Sequence, residues 1–199
     1  MLTIYGDVNS GNCYKAKLAA EQCGHAYDWR PVDILKKETH TEDFLAKNPN
    51  GKIPLLELED GTCLSESNAI LFFLARDTAL FPADKLAQAR VLQWLFFEQY
   101  SHEPYIAVAR YIIRYLGRPA EMEETLQSKM AGGYKALQVM ETQLAKTPFL
   151  TGESYSIADI GLFAYTHVAA EGDFDLSRFP AVLDWIDRVK QQPGYVPIG

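Results

Sequence analysis

Hydrophobic and polar positions change their rhythm once along this chain, near residue 80. Before that point short β-rich runs alternate with helical ones. Residues 2–5 form a brief apolar run ahead of Gly6, which predicts a buried strand. Residues 6–12, GDVNSGN, carry the Gly, Asp, Asn and Ser of a turn-rich loop. A helix is predicted from about Cys13 to Cys23, with Leu18, Ala19 and Gln22 on one face and Gly24 as a left-handed stop. Tyr27, Trp29 and Pro31 alternate with polar residues as an edge strand does. Residues 36–52 are polar and contain Asn-Pro-Asn-Gly, which predicts a long loop around a short helix near residues 42–46. Residues 53–59 and 62–64 flank Asp60-Gly61, the signal of a two-residue hairpin turn. Ser65 is expected to cap a helix running to about Arg76. The order is β-α-β-α-β-β-α. Helical crossovers imply parallel strands first, and the hairpin adds an antiparallel pair.

Beyond residue 80 the pattern is helical throughout. Asp84 is placed to cap a long helix carrying Val91, Leu92, Leu95 and Phe96, which Pro104 restarts or kinks. Pro119 opens another helix, in which Gly132-Gly133 sits at a cost in helix propensity. Ser156 opens a further helix by a capping box with Asp159, and residues 179–191 form the last. The expected fold class is α/β plus all-α, divided as residues 1–77, a linker at 78–85, and an all-helical domain at 86–199.

Apolar residues make up 48% of the 199, enough for a substantial core. The net charge of −7 disfavours non-specific nucleic-acid binding, which needs a basic surface, but leaves room for a local cationic pocket. No apolar run reaches the ~20 residues of a membrane span, and the first dozen residues lack the pattern of a signal peptide. A cytoplasmic location is the expectation. Cys13, Cys23 and Cys63 fit it, being odd in number and without a paired-cysteine motif. The four histidines have no metal-ligand spacing, so no metal is expected.

Three motifs carry the functional signal: Lys52-Ile53-Pro54 at a strand start, Ser65-Glu66-Ser67 about a dozen residues later at a helix start, and Ser156-Ile157-Ala158-Asp159 in the second half. In order, spacing and chain length the sequence resembles the glutathione transferase superfamily, with a theta- or beta-like active-site loop. The resemblance covers essentially the whole chain. It implies an N-terminal thioredoxin-like domain followed by a C-terminal helical bundle, with glutathione as co-substrate. In that fold Pro54 is cis and turns the Ile53 backbone toward the ligand, where a cysteinyl peptide pairs as an added strand. Glu66 and Ser67 stand where free helix amides favour an anion. Ser67 would hold the γ-glutamyl carboxylate and Glu66 the ammonium. The plainer alternative makes Ser65 an N-cap and Glu66 a first-turn acid. For the glycine carboxylate the candidates are Lys37, His40 and Lys52.

The same resemblance places the catalytic residue just after the first strand. Ser10 matches the serine of theta-like enzymes, whose hydroxyl donates to the glutathione sulfur. A free thiol titrates near ~8.5, and lowering it by ~2 units takes roughly 2.7 kcal/mol of thiolate stabilisation. One charge-assisted hydrogen bond supplies ~1.5–3 kcal/mol, so the adjoining helix end is expected to contribute. Asn12 is a second donor candidate or a helix cap. Tyr5 falls one residue out of phase with the catalytic tyrosine of other classes and is read as core. Cys13 lies too far into the helix for a redox thiol and is read as structural.

The helical part would supply the electrophile pocket and dimer contacts, with Tyr105, Arg110 and Arg114 as pocket candidates for a small hydrophobic or electrophilic co-substrate. Arg110 and Arg114 also fit a solvated basic stripe. Three functions follow from the resemblance: conjugation of glutathione to electrophiles in detoxification, glutathione-dependent peroxidase or thiol–disulfide reductase activity, and non-catalytic binding. A homodimer is expected, because the helix after Asp84 is apolar on more than one face.

Overall fold

Leu2–Gly6 forms the first strand, β1, and Ile4 at its centre is fully buried. The computed structural model describes all residues from Met1 to Gly199. After β1 come α1 (Gly11–Cys23), β2 (Tyr27–Pro31), α2 (Glu42–Lys47), β3 (Leu55–Glu57), β4 (Cys63–Ser65) and α3 (Ser67–Ala75). The sheet order is β2-β1-β3-β4, parallel between β1 and β2 and antiparallel elsewhere. β2 is an edge strand, as its Pro31 requires. Ile4 lies opposite Trp29 on one side and Leu56 on the other. Gly6 closes β1 because a Cβ there would stand 2.9 Å from the Cβ and Sγ of Cys13. The sheet and the first turn of α1 therefore meet at van der Waals distance.

Three local expectations need correction. α1 begins at Gly11, with Ser10 as its N-cap, so Asn12 belongs to the first helical turn and not to the loop. The hairpin loop has three residues, 59–61. Leu58 N donates to Thr62 O at 2.8 Å, and Gly61 takes φ +84°, the left-handed residue such a loop needs. Ser65 does not cap α3: it ends β4 opposite Leu55, and Glu66 occupies the cap position with φ 69° and ψ 112°. Strand pairing holds Ser65 extended and delays the helix by one residue.

The second unit is α4 (Lys85–Phe97), a π-helical turn at Glu98–His102, α5 (Glu103–Arg114), α6 (Glu123–Leu144), α7 (Ile157–Thr166) and α8 (Pro180–Lys190). Asp84 caps α4 by accepting from Ala87 N at 2.9 Å. Pro104 directly follows the π-helical turn, where Glu103 N donates to Glu98 O, and α4, this turn and α5 run on as one helical stretch. Gly132 and Gly133 owe their place in α6 to aromatic rings. A Cβ on Gly132 would lie 2.2 Å from the Tyr105 ring, and one on Gly133 2.3 Å from the Phe174 ring. The Ser156–Asp159 capping box opens α7, which is buried along its whole length. No helix is long and apolar enough to cross a membrane.

By packing, the chain divides into Met1–Phe81 with Pro193–Gly199, and Pro82–Gln192. The last seven residues thus pack with the first unit, whereas the division expected from sequence kept them with the helices. Tyr14 Oη donates to Val196 O at 2.6 Å, and Gly199 N donates to Val8 O at 3.2 Å. The architecture is the thioredoxin-like α/β unit and helical bundle that the sequence implied.

Candidate functional site

Ser10 is half-buried at the amino end of α1, in extended conformation. Its Oγ accepts from Cys13 N at 3.4 Å, and its own N–H donates to Asp7 O at 3.1 Å. The cap uses a lone pair of the hydroxyl, and the same side chain lies within hydrogen-bonding reach of the Cys13 thiol, so a bound sulfur would compete with Cys13 for its proton. Capping and donation to a sulfur are therefore compatible roles for one side chain.

Cys13 is fully buried, and burial pushes its thiol up to about 12. A thiol held protonated is a poor nucleophile, in keeping with its structural reading. Tyr5 points its hydroxyl at Glu57 Oε2, 2.6 Å away, and Lys47 Nζ reaches the same oxygen at 2.6 Å. Donation to that carboxylate, with burial, holds the phenol above its usual range, the wrong direction for a tyrosine that stabilises a thiolate. Its ring packs with the core of Val32, Phe44 and Leu55.

At the amino end of α3, Ser67 is buried and Glu66 exposed. A positive φ on a non-glycine residue costs ~1–3 kcal/mol and persists where its surroundings impose it, commonly at ligand sites. β4 pairing before Glu66 and the Glu66 O···Ile70 N bond of 2.9 Å after it impose it here. Ser67 Oγ donates to Asn12 Oδ1 at 3.2 Å, so the amino ends of α1 and α3 meet. Lys15, fully buried, donates from Nζ to Ser67 Oγ at 3.2 Å and to Asn68 Oδ1 at 3.3 Å. A cation and two helix amino ends make this corner suited to a carboxylate.

The Ile53–Pro54 bond is cis, and Ile53 precedes the paired residues of β3. Asn48 Nδ2 anchors the lead-in by donating to Lys52 O at 2.7 Å. His40 is exposed, shares a 2.9 Å hydrogen bond with Thr39 Oγ1, and sets its Nε2 3.7 Å from where a Gly51 Cβ would be. His40, Lys52 and Ile53 therefore cluster around the same turn. Lys37 is exposed at φ 60°, three residues before His40, at the start of the 3₁₀ turn Glu38–His40.

In the helical unit the Tyr105 ring packs directly against Gly132. Arg110 is buried and donates to Glu171 Oε2 at 2.8 Å, and Arg114 approaches the same oxygen at 3.5 Å. The two guanidinium groups share one carboxylate, so they do not form an uncompensated cationic wall. Separately, Trp94, Phe97 and Val139 line a cavity of about 540 Å³ between α4 and α6, which none of the site candidates reaches.

Lys15 was missed from sequence. The signal was there: it precedes Leu18, Ala19 and Gln22 by three, four and seven residues, which puts a lysine on the apolar stripe of α1.

The family model of the glutathione S-transferase N-terminal domain matches residues 1–76, and that of the C-terminal domain matches residues 90–193. The crystal structure of glutathione S-transferase from Pseudomonas fluorescens Pf-5 is 60% identical, with a TM-score of 0.97 over 99% of this chain and 98% of that one. Disulfide-bond oxidoreductase YfcG of Escherichia coli K12 is 30% identical over 92% of this chain and 87% of its own length. Glutathione transferase URE2P6 of Phanerochaete chrysosporium, solved with oxidized glutathione, is 25% identical with a TM-score of 0.87, covering 97% of this chain and 92% of that one. With both halves matched in order, and with a cis-proline turn, a serine-bearing helix end and a capped first helix converging in one unit, the chain belongs to the glutathione S-transferase family.

Proposed function

We propose that this chain is a glutathione transferase that activates the thiol of glutathione and adds it to a small electrophile in a detoxifying role in the cytoplasm. The observation that carries the reading is the Ser67–Asn12 hydrogen bond. It ties the amino end of α3 to the first turn of α1, the helix that Ser10 caps. Ser67 and the α3 amides take the γ-glutamyl carboxylate, Glu66 takes the ammonium, and the Ile53 backbone pairs with the cysteinyl residue. His40, Lys52 and Lys37 face the glycine carboxylate. Ser10 donates to the sulfur, and Asn12 is the second donor beside it. The thiol proton passes to solvent. The sulfur then forms the C–S bond while the electrophile releases its leaving group or takes a proton from water. Tyr105 and Arg114 are the proposed electrophile side, while Arg110, buried and bonded to Glu171, is not placed to meet a co-substrate.

Calorimetry with reduced glutathione tests this. Ser67→Ala should weaken binding by roughly ten- to a hundredfold, the loss of a charge-assisted hydrogen bond. Ser65→Ala should change it little, because Ser65 ends a strand. No heat with wild-type protein at millimolar glutathione would sink the proposal.

A second reading, glutathione-dependent thiol–disulfide exchange or peroxide reduction, draws on the oxidoreductase relative. With Cys13 buried, that chemistry would have to run through glutathione thiols. A panel of electrophiles, disulfides and peroxides separates the two: turnover of disulfide or peroxide without conjugation selects the second.

We also propose a homodimer built on α4. Phe96 is 71% exposed and Tyr100, four residues on, 84%, a pair of large apolar side chains left on one side of this helical stretch. The apolar cavity lined by Trp94 and Phe97 adjoins the same helix. Light scattering at micromolar protein should give twice the monomer mass, and Phe96→Glu should halve it. A monomeric wild type refutes the proposal.

A further inference from the structure

We propose that Lys15 is a positioning residue that couples the carboxylate end of bound glutathione to the amide beside its sulfur. The inference rests on the glutathione-binding reading above and assigns a role that the reading does not contain.

A lysine with no exposed surface is rare, because burying a cation is costly unless its donors are satisfied. Lys15 Nζ has only protons to give. Two of its hydrogen bonds go to Ser67 Oγ and Asn68 Oδ1, both in the first turn of α3. That fixes the polarity of the next link. Ser67 Oγ accepts from Lys15, so its single proton is directed to Asn12 Oδ1. With Oδ1 turned to Ser67, the Nδ2 group of Asn12 is turned away from it. The chain Lys15–Ser67–Asn12 thus sets the orientation of an amide in the first turn of α1, two residues from Ser10.

A carboxylate arriving at the amino end of α3 accepts from the Ser67 hydroxyl and competes with Asn12 for its proton. Lys15 holds the hydroxyl oxygen in place while the proton changes acceptor, and its positive charge favours the arriving anion. Occupation of the γ-glutamyl site is therefore transmitted to Asn12, and through it to the sulfur. No bond is made or broken other than hydrogen bonds.

The experiment compares glutathione with cysteinylglycine, which has the same thiol but lacks the γ-glutamyl group. In the wild type, ultraviolet titration should find the bound thiol more acidic in glutathione than in cysteinylglycine by more than the two differ in solution. Lys15→Met should weaken glutathione binding by roughly ten- to a hundredfold and raise its bound-thiol pKa. It should leave cysteinylglycine binding unchanged, and Lys15→Arg should restore part of both losses. Equal loss of both ligands in folded Lys15→Met, or wild-type affinity and thiol pKa in that variant, overturns the proposal. If Lys15→Met does not fold, the wild-type comparison decides alone: equal acidification of the two thiols overturns it. A wild type that binds no glutathione instead defeats the functional reading on which this one stands.

Discussion

Ser10→Ala is expected to leave glutathione affinity nearly unchanged and to raise the pKa of the bound thiol by roughly one to two units, the equivalent of one lost charge-assisted hydrogen bond of ~1.5–3 kcal/mol. Turnover at neutral pH should fall by roughly three- to twenty-five-fold, because a thiol near ~6.5 is mostly ionised at pH 7 and loses that ionised fraction as its pKa rises. The Ser10 hydroxyl accepts from Cys13 N and stands within hydrogen-bonding reach of the Cys13 thiol, so the substitution removes both the cap and the proton offered to sulfur. The lost cap costs ~1 kcal/mol of stability as well, which a denaturation curve separates from the catalytic effect. Ser10→Thr retains the hydroxyl and should retain most of the acidity. Cys13→Ala and Tyr5→Phe should keep activity, the first because that thiol is buried and protonated, the second because that phenol is committed to Glu57. Asn12→Ala should show an intermediate loss. Wild-type turnover in Ser10→Ala, with inactivity in either of the other two, would reassign the catalytic group.

The largest effect on stability is expected at Asp159, which no solvent reaches. Its Oδ1 accepts from Leu150 N at 3.0 Å and Trp185 Nε1 at 2.9 Å, and its Oδ2 from Ser156 N at 3.0 Å and Ser156 Oγ at 3.3 Å. One carboxylate thus joins the turn before α7, the amino end of α7 and the middle of α8. Asp159→Ala strands three N–H groups in the core and is expected to cost ~3–5 kcal/mol, the range for removing one side of a buried charged network. Urea denaturation followed by tryptophan fluorescence measures it, and a loss below ~1 kcal/mol would contradict the network.

The same group gives stability a pH dependence of definite sign. Burial raises the Asp159 carboxyl to about 6 from an ordinary 3.8, against the lowering effect of its four hydrogen bonds. Between those two values the folded chain binds the proton more tightly than the unfolded one. This group's contribution is therefore present below about 4, declines as pH rises to about 6, and is flat above. The difference corresponds to roughly 3 kcal/mol. Wild type minus Asp159→Asn should show that slope between pH 4 and 6. A difference that rises with pH over this window would mean that the hydrogen bonds outweigh burial.

Much of the fold was legible because its signals are local. The β-α-β-α-β-β-α order, the helical second half, and the caps at Asp84 and Ser156 follow from period, turn chemistry and capping within a few residues of chain. The setting of Cys13 was not legible: the expected helix position would have taken it out of reach, whereas α1 starts at Gly11, Cys13 lies in its first turn, and burial is what makes it inert. The cis state of Pro54 came from resemblance and not from composition or spacing. Boundaries failed where pairing across the sheet outweighed local preference. Ser65 is a good N-cap in isolation, but its partner Leu55 keeps it in β4. Asp60-Gly61 suggests a two-residue turn, but the register of Leu58 with Thr62 makes the loop three residues long.

By itself, then, the sequence determined the fold class, the family and the segment that carries the serine. Only the tertiary structure decided how those residues are electrostatically committed. Arg110 and Arg114 look like a free cationic stripe until Glu171, some sixty residues away in the chain, is found between them. Gly132-Gly133 looks like a weak point in a helix until the Tyr105 and Phe174 rings are seen to occupy the space of two side chains. Lys15 looks like one lysine among many until it is found buried beneath Ser67, more than fifty residues on. Hydrogen bonds and Coulomb forces act through space over a few ångströms. Local periodicity cannot report a partner that the chain brings in from fifty residues away, and such partners set the chemistry of this site.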